Sequence, residues 1–242
     1  MLEIENLTKR FGGVTAVAGL SLAVSQGEVL GFLGPNGAGK TTTMKMVTGF
    51  LTPDSGTARI CGHDIGRDTL AAQASLGYLP EGAPAYGEMT PREFLAFIAG
   101  VRGLFGDTAR TARDMAVART GLESVMDRPI ETLSKGFRRR VGLAQAILHD
   151  PEVLILDEPT DGLDPNQKHA VRRLIRDIAA KKTIVISTHV LEEVEAVCSR
   201  AVIINKGMVV ADGTPASLAA RAPGGKLEDL FRQLTAHEEA AA

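Results

Sequence analysis

The stretch GPNGAGKTT, at positions 34–42, combines glycines, a lysine and threonines at the spacing G-x-x-x-x-G-K-[ST]. Its glycines permit the tight backbone curvature that turns successive N–H groups towards phosphate oxygens. Lys40 can then reach the β- and γ-phosphates of a nucleotide, and the Thr41 hydroxyl can ligate Mg²⁺. The candidate binding residues of this loop are Gly34, Asn36, Gly37, Gly39, Lys40, Thr41 and Thr42. A plain glycine turn with a solvated lysine is the alternative, which the complete motif behind a predicted strand disfavours.

A second stretch, VLILDEPT at positions 153–160, ends an apolar run with two acids. Asp157 comes at the end of the predicted strand, where its carboxylate can enter the coordination shell of Mg²⁺. Because side chains alternate along an extended chain, we expect Glu158 to point elsewhere and to polarise an attacking water. The alternative is that the two acids cap the next helix.

Three apolar runs have the length of buried strands: EVLGFLG (28–34), VLILD (153–157) and TIVIST (183–188). Helical patterns follow them, which is typical of a parallel sheet with crossover helices. The short β-like segments LEIENL, SLAV and TARICG predict an antiparallel flank. The sequence therefore predicts an α/β fold, a P-loop NTPase (RecA-like) core with an antiparallel β flank and an inserted helical subdomain.

The predicted organisation is a single domain over 1–242. Its nucleotide-binding core comprises 1–81 and 151–213, its helical subdomain comprises 82–150, and peripheral C-terminal helices follow over 214–242. Thr90, Pro91 and Glu93 predict a helix start of the T-x-x-E type. From there, one apolar helix face is predicted for Phe94, Phe97, Ile98, Val101 and Phe105.

A basic cluster within SKGFRRRVGLAQA (134–146) could form a nucleic-acid patch, a solvated helix face or half of a phosphate site. The chain has 27 Lys+Arg and 29 Asp+Glu, a formal charge of −2, which argues against a general polyanion binder. We therefore expect Arg138–Arg140 to form a basic helix face towards a nucleotide or neighbouring acids, and we expect no nucleic-acid partner.

Together with the glycine loop, LSKGFRRRVGLAQAILHDPEVLILDEPT resembles the signature-to-Walker-B run of an ATP-binding cassette (ABC) ATPase. The resemblance covers roughly residues 2–215, with the motifs in the family's order. It implies that Ser134 and Gly136 belong to an L-S-G-G-Q-like signature that contacts the γ-phosphate of ATP held by another protomer. Lys135 and Phe137 depart from the commoner Gly and Gln, and Lys135 either contacts phosphate or faces solvent.

The resemblance implies roles for four further residues. Phe11 matches the aromatic residue that stacks on adenine, and Asp164 matches the aspartate of the loop between protomers. Glu81 stands where the family normally has a glutamine that contacts Mg²⁺ and water, and its carboxylate could still ligate the metal. His189 matches the switch histidine that bonds the γ-phosphate and holds the attacking water with Glu158.

The resemblance implies the ATP- and Mg²⁺-dependent ATPase subunit of a membrane transporter, similar to the ABC-2 type, whose members are mostly exporters. The sequence has no apolar run of the roughly 18–20 residues that span a bilayer. The expected partners are a second, identical cassette chain and an integral membrane permease. The expected location is the cytoplasmic face of the cell membrane, reached through that permease.

Other classes of protein fit the sequence less well. A GTPase would have N-K-x-D, whereas NKGM ends in Met208. Non-transport cassettes that act on ribosomes or DNA commonly carry two cassettes or a coiled-coil insertion. A non-hydrolytic regulatory subunit would be expected to have lost Glu158 or His189, and both are present.

Overall fold

The computed structural model describes residues 1–82 and 85–235, which form two β-sheets and the helices packed on them. The strands are β1 (Leu2–Phe11), β2 (Val14–Val24), β3 (Val29–Leu33), β4 (Ser55–Ile60), β5 (His63–Asp64), β6 (Leu76–Leu79), β7 (Val153–Asp157), β8 (Thr183–Thr188), β9 (Arg200–Asn205) and β10 (Met208–Gly213). The helices are α1 (Lys40–Val47), α2 (Thr69–Ala74), α3 (Pro91–Val101), α4 (Gly106–Thr120), α5 (Lys135–Ile147), α6 (Pro165–Ala179), α7 (Leu191–Val197), α8 (Pro215–Ala219) and α9 (Leu227–Thr235). Short 3-10 turns lie at Glu123–Val125 and Ile130–Thr132.

The larger sheet has the strand order β10-β9-β3-β8-β7-β6. All neighbours in it pair in parallel except β9 and β10, which are antiparallel. Every residue of β3, β7 and β8 is buried, as expected for parallel strands with both faces covered. The carboxyl ends of these three strands therefore share one edge of the sheet, and the predicted α/β fold is confirmed.

The smaller sheet has the order β2-β1-β4-β5 with antiparallel pairing throughout, which confirms the predicted antiparallel flank. One apolar cluster joins the two sheets through α1, and it includes Leu7 of β1, Phe32 of β3 and Met44 of α1. This packing holds the end of β3 and the start of α1 in a fixed relation.

Helices α3, α4 and α5 pack together around a cluster that includes Leu95, Leu122 and Val141. The predicted start of α3 is confirmed, because Thr90 and Glu93 form a reciprocal capping box. The predicted apolar face is only partly correct. Helix α3 ends at Val101, Gly103 follows with φ of 73°, and Phe105 lies outside the helix and is exposed. A glycine in the left-handed region is a common helix stop, and it turns the chain before the periodicity is complete.

Helices α8 and α9 pack against the outer strands through Leu218, Leu227 and Leu230. The last residues of the predicted peripheral region, 236–242, lie outside the described residues, as does His237. Within 1–82 and 85–235, no helix is both long and apolar enough to cross a bilayer.

Candidate functional site

A cleft of about 340 Å³ opens at the carboxyl edge of the larger sheet. Its size falls within the range of small-molecule sites, and this edge is where ligands bind in open α/β sheets. Its lining comes from the glycine loop, the end of β7, and the segments that follow β6 and β8. The lining residues are Ala16, Pro35, Asn36, Gly37, Gly39, Lys40, Thr41, Thr42, Glu81, Asp157, Glu158, Asp161 and His189.

The glycine loop connects β3 to α1 in a conformation that only glycine adopts without strain. Gly37 has φ of 81° and Gly39 has φ of 102°. A Cβ at Gly39 would lie 2.4 Å from the carbonyl oxygen of Ala16, and one at Gly34 would lie 2.7 Å from that of Ile204. The loop therefore packs directly against backbone, and its residues line the cleft together with the start of α1, an arrangement that suits an anion.

Lys40 begins α1 and is buried at the base of this loop. Its Nζ donates to the carbonyl oxygens of Gly34, at 2.5 Å, and Pro35, at 3.0 Å. Burial lowers the pKa of Lys40, and the charges of Glu158, Asp157 and Glu81 act in the opposite direction. The ammonium group thus stands opposite a carboxylate-rich wall, which suits it to bind a phosphate placed between them.

Asp157 ends β7 with only 2% of its surface exposed. Burial raises the pKa of this carboxyl, and the charges of Glu81 and Glu158 raise it further. Among the described residues its Oδ2 has no hydrogen-bond partner, although the atom is buried. A buried carboxylate oxygen without a partner needs a cation or a donor, so this residue fits the expected divalent ion.

The hydroxyl of Thr41 lines the same cleft. No cluster of three or more His, Cys, Asp or Glu side chains arranged for a metal occurs in residues 1–82 and 85–235. Mg²⁺ commonly takes only one or two protein carboxylates and completes its shell with nucleotide phosphates and water. The donors present therefore fit Mg²⁺ held together with a nucleotide.

Glu158 corrects one prediction. It is not a further residue of an extended strand, because its φ is 49°, in the left-handed region. The chain turns here, so Glu158 lines the same cleft as Asp157 rather than pointing elsewhere. Its Oε1 lies 2.7 Å from Nδ1 of His189 and accepts from the His189 N–H at 3.1 Å, and its Oε2 accepts from the Thr188 hydroxyl at 3.1 Å.

Glu81 and Asp161 complete the acidic side of the cleft. Glu81 follows β6 and is exposed, in the position that the sequence predicts. The sequence did not predict Asp161 as a lining residue. Asp161 begins the DGLD segment and lies three positions after Glu158. Its carboxylate forms an ion pair with Lys135 at 2.9 Å, which lowers the pKa of Asp161.

Five predicted site residues do not line the cleft, and one of them, Gly34, lies at the base of the glycine loop, where its carbonyl oxygen accepts from Lys40. Phe11 ends β1 with 51% of its surface exposed. Ser134 caps α5 by accepting from the Phe137 N–H at 3.3 Å, and Asp164 caps α6 by accepting from the Gln167 N–H at 2.9 Å. Gly136 contacts α6 closely, since a Cβ there would lie 2.3 Å from Oε1 of Gln167. The starts of α5 and α6 thus abut.

The basic cluster does not form one solvated face. Arg138 is exposed, but Arg139 is buried, and the Arg140 guanidinium stacks 4.0 Å from the Phe137 ring centroid. Arg140 also donates to the carbonyl oxygen of Gly121 at 2.8 Å, which ties α5 to the end of α4. The predicted basic face is therefore wrong for Arg139, because backbone carbonyls in the interior recruit that side chain.

The chain is similar to well-characterised protein families along most of its length. A family model described as ABC transporter matches residues 17–161. The Nod factor export ATP-binding protein I of Paraburkholderia xenovorans is 39% identical over 231 residues, which are 95% of this chain and 76% of that protein. The linearmycin resistance ATP-binding protein LnrL of Bacillus subtilis is 36% identical over 236 residues, 97% of this chain and 75% of that protein. A solved structure of an ATP binding subunit of an ABC transporter has a TM-score of 0.89 and 29% identity, and the match covers 97% of this chain and 99% of that one.

Proposed function

Because the chain belongs to the ABC transporter family of ATP-binding subunits, we propose that its ATP hydrolysis drives an exporter of the ABC-2 type. The observation that carries the proposal is the meeting of the glycine loop, Asp157, Glu158 and His189 around one cleft. Two similar proteins are named for Nod factor export and for linearmycin resistance, which supports the direction of transport. ATP hydrolysis is the activity of this family. A non-transport cassette and a non-hydrolytic regulatory subunit are less well supported than an exporter subunit.

The phosphates of ATP are bound by the glycine loop and Lys40. Approach of the nucleotide gives the Lys40 ammonium a phosphate partner in place of the carbonyl oxygens that it contacts here. Thr41 and Asp157 would hold Mg²⁺, with Glu81 as a further carboxylate ligand, and the bound ion would supply positive charge next to the phosphates. The cradle for the phosphates is completed by the backbone N–H groups of Asn36, Gly37 and Gly39 and by Thr42 in the first turn of α1.

Glu158 acts as the general base on the attacking water. Its carboxylate is held on two sides, by Thr188 and by His189, so it has a defined direction in the cleft. Nδ1 of His189 bonds to Glu158, and when the ring carries a proton on both nitrogens its Nε2–H can in addition donate to a γ-phosphate oxygen. His189 thereby links the base to the group under attack.

We place Ser134, Gly136 and Asp164 at a second ATP site, on an identical chain. They lie outside the cleft of their own chain, but the N-terminus of α5 with its Ser134 cap is an anion-binding element. Two chains that face each other would then each complete the other's site. Phe11 is exposed at the end of β1, where it is free to stack on the adenine ring.

A permease would dock on the exposed aromatic surface next to α3, formed by Phe50, Tyr86 and Phe97. Tyr86 is 54% exposed, and its ring centroid lies 5.8 Å from that of Phe97. Tyr86 of this surface follows Glu81 closely in the chain, so docking at Tyr86 can respond to the nucleotide. We therefore place the subunit at the cytoplasmic face of the membrane, bound through this surface.

Tyr86→Asp tests the docking surface. Transport in the assembled complex should be lost while the ATPase rate of the isolated subunit stays near that of the wild type. Met115→Asp is the matched control, because Met115 is a comparably exposed apolar residue on α4. If a cross-linker at position 86 never captures a membrane subunit, or if both variants transport equally, the docking surface is wrong.

Lys40→Ala tests the nucleotide site. Removal of a buried ammonium group that faces the phosphates should abolish detectable ATP binding and hydrolysis. Lys45→Ala removes the same charge from the exposed side of the same helix and should leave both unchanged. Unchanged ATP affinity in Lys40→Ala would contradict the assignment of the cleft.

A further inference from the structure

Arg139 is a charged residue in an unfavourable place. Only 5% of its surface is exposed, whereas its neighbour Arg138 lies in solvent. Burial lowers the pKa of Arg139, and the charges of Asp157, Asp161 and Glu158 act in the opposite direction. A buried guanidinium is costly unless hydrogen bonds and opposite charges compensate for its lost hydration. The buried guanidinium of Arg139 therefore requires hydrogen-bond acceptors or opposite charges close to it.

The partners of Arg139 are backbone carbonyl groups of two segments that line the cleft. Its Nη1 donates to the carbonyl oxygen of Pro80 at 3.0 Å, and its Nη2 donates to those of Asp157 and Glu158. The paired region of β6 and β7 ends at Leu79 and Leu156. These three carbonyls thus lie just beyond the last strand pair, and the guanidinium supplies the donors that a continued strand would have supplied.

The Glu158 peptide unit is fixed from both sides. Its N–H donates to the carbonyl oxygen of Ser187 on β8 at 2.8 Å, and its own carbonyl oxygen accepts from Arg139 and, at 3.1 Å, from the Asp161 N–H. The residue has φ of 49°, which L-residues adopt only when their surroundings impose it. This conformation aims the Glu158 carboxylate at His189 and into the cleft.

We propose that Arg139 is a positioning residue for hydrolysis. It holds Glu158 in the turned conformation, and it joins that residue to α5 and to the segment of Glu81. Because α5 begins at the Ser134 cap, movement of that end of the helix would be transmitted through one side chain to the general base. The proposal rests on the proposed role of Glu158, and Arg139 itself is not among the residues that line the cleft.

Arg139→Gln and Arg139→Lys test this role in the full-length protein. A shift of the general base by about 1 Å costs on the order of 10²-fold in rate, so we expect kcat to fall by about 10–100-fold. The apparent affinity for ATP should change by less than about three-fold, because the glycine loop is untouched. Lysine keeps the charge but lacks the planar fork that spans three carbonyls, so it should not restore the rate.

Arg102→Gln is the matched control. Arg102 is half-buried, with a pKa lowered by burial, and within the described residues its guanidinium donates to the carbonyl oxygens of Gln73 at 2.7 Å and Leu76 at 3.1 Å. Those contacts lie at the opposite end of β6 from Pro80. The control should lose thermal stability as the Arg139 variants do, but it should keep kcat within about two-fold of the wild type.

Combination with Glu158→Gln separates positioning from a structural role. If Arg139 acts through Glu158, then Arg139→Lys should lower single-turnover hydrolysis in the wild-type background and have no further effect in the Glu158→Gln background. Equal losses in both backgrounds, a parallel fall in ATP affinity, or wild-type kcat in folded Arg139→Lys would overturn the proposal. If Arg139→Gln does not fold, the lysine variant alone decides. Wild-type hydrolysis by Glu158→Gln itself would instead refute the role of Glu158.

Discussion

Gly37 and Gly39 of the glycine loop differ in how much room the structure leaves for a side chain. Both have positive φ, which costs an L-residue about 1–2 kcal/mol. A Cβ at Gly37 would meet nothing within 4 Å, whereas one at Gly39 would lie 2.4 Å from the Ala16 carbonyl oxygen. That clash adds about 1–3 kcal/mol, since backbone must shift. Alanine also restricts the unfolded chain, which returns about 0.4–1 kcal/mol in both variants.

We therefore expect Gly37→Ala to lower the free energy of unfolding by about 0–1.5 kcal/mol and Gly39→Ala by about 1–4.5 kcal/mol. Urea denaturation measures both values directly. Because Ala16 lines the cleft, the shift in Gly39→Ala also displaces the cradle, and ATP affinity should fall further in this variant than in Gly37→Ala. Equal stability losses, or a larger loss in Gly37→Ala, would refute the close packing of the loop.

Two further predictions concern the adenine contact and a buried histidine. Phe11→Ala should weaken ATP binding about five-fold without a change in the maximal rate, because stacking contributes about 1 kcal/mol, and Phe11→Tyr should retain affinity. A fluorescent ATP analogue measures both affinities, and unchanged affinity in Phe11→Ala would show that Phe11 does not contact the nucleotide. Burial lowers the pKa of His149 to about 4, below its value of about 6.5 in an unfolded chain. The unfolded chain therefore binds more protons than the folded chain between these pH values. The contribution of neutral His149 to the free energy of unfolding is thus complete above about pH 6.5 and is lost as the pH falls towards 4. Between pH 7 and 5, wild type should lose about 1–2 kcal/mol more stability than His149→Gln; equal losses in urea denaturation would contradict this origin.

The sequence was sufficient to predict what depends on local chemistry. The spacing in GPNGAGKTT and the acids after VLILD predict residues that the fold does bring to one cleft, because strand ends of a parallel sheet meet at one edge. The apolar runs predict β3, β7 and β8, since strands that are buried on both faces consist mostly of apolar residues.

What the sequence did not predict depends on contacts between distant segments. Nothing in RRR distinguishes Arg139 from Arg138, because the carbonyls that bury Arg139 belong to segments 59 and 18–19 residues away. Strand alternation fails at Glu158 because β8 and Arg139 impose a turn on it. Lys135 is exposed to solvent and also pairs with Asp161 at 2.9 Å, a contact between distant segments that its position in SKGF does not reveal.

Glu158→Gln tests two proposals together: that Glu158 is the general base, and that two chains pair with ATP between them. The substitution keeps the shape of the side chain and removes its basicity, which typically costs about 10²–10⁴-fold in rate and spares binding. The Ser134 cap of each chain should then close over ATP that its partner cannot hydrolyse. Ser134→Arg places a bulky cation at this cap and should prevent that closure.

Light scattering after size-exclusion chromatography, with and without ATP, is the most direct measurement. We expect Glu158→Gln to form a stable dimer with two trapped nucleotides only when ATP is present. Wild type should form it only transiently, and the double variant Ser134→Arg, Glu158→Gln should remain monomeric. Hydrolysis by Glu158→Gln at the wild-type rate, or the absence of any ATP-dependent dimer even with the membrane partner present, would contradict the account.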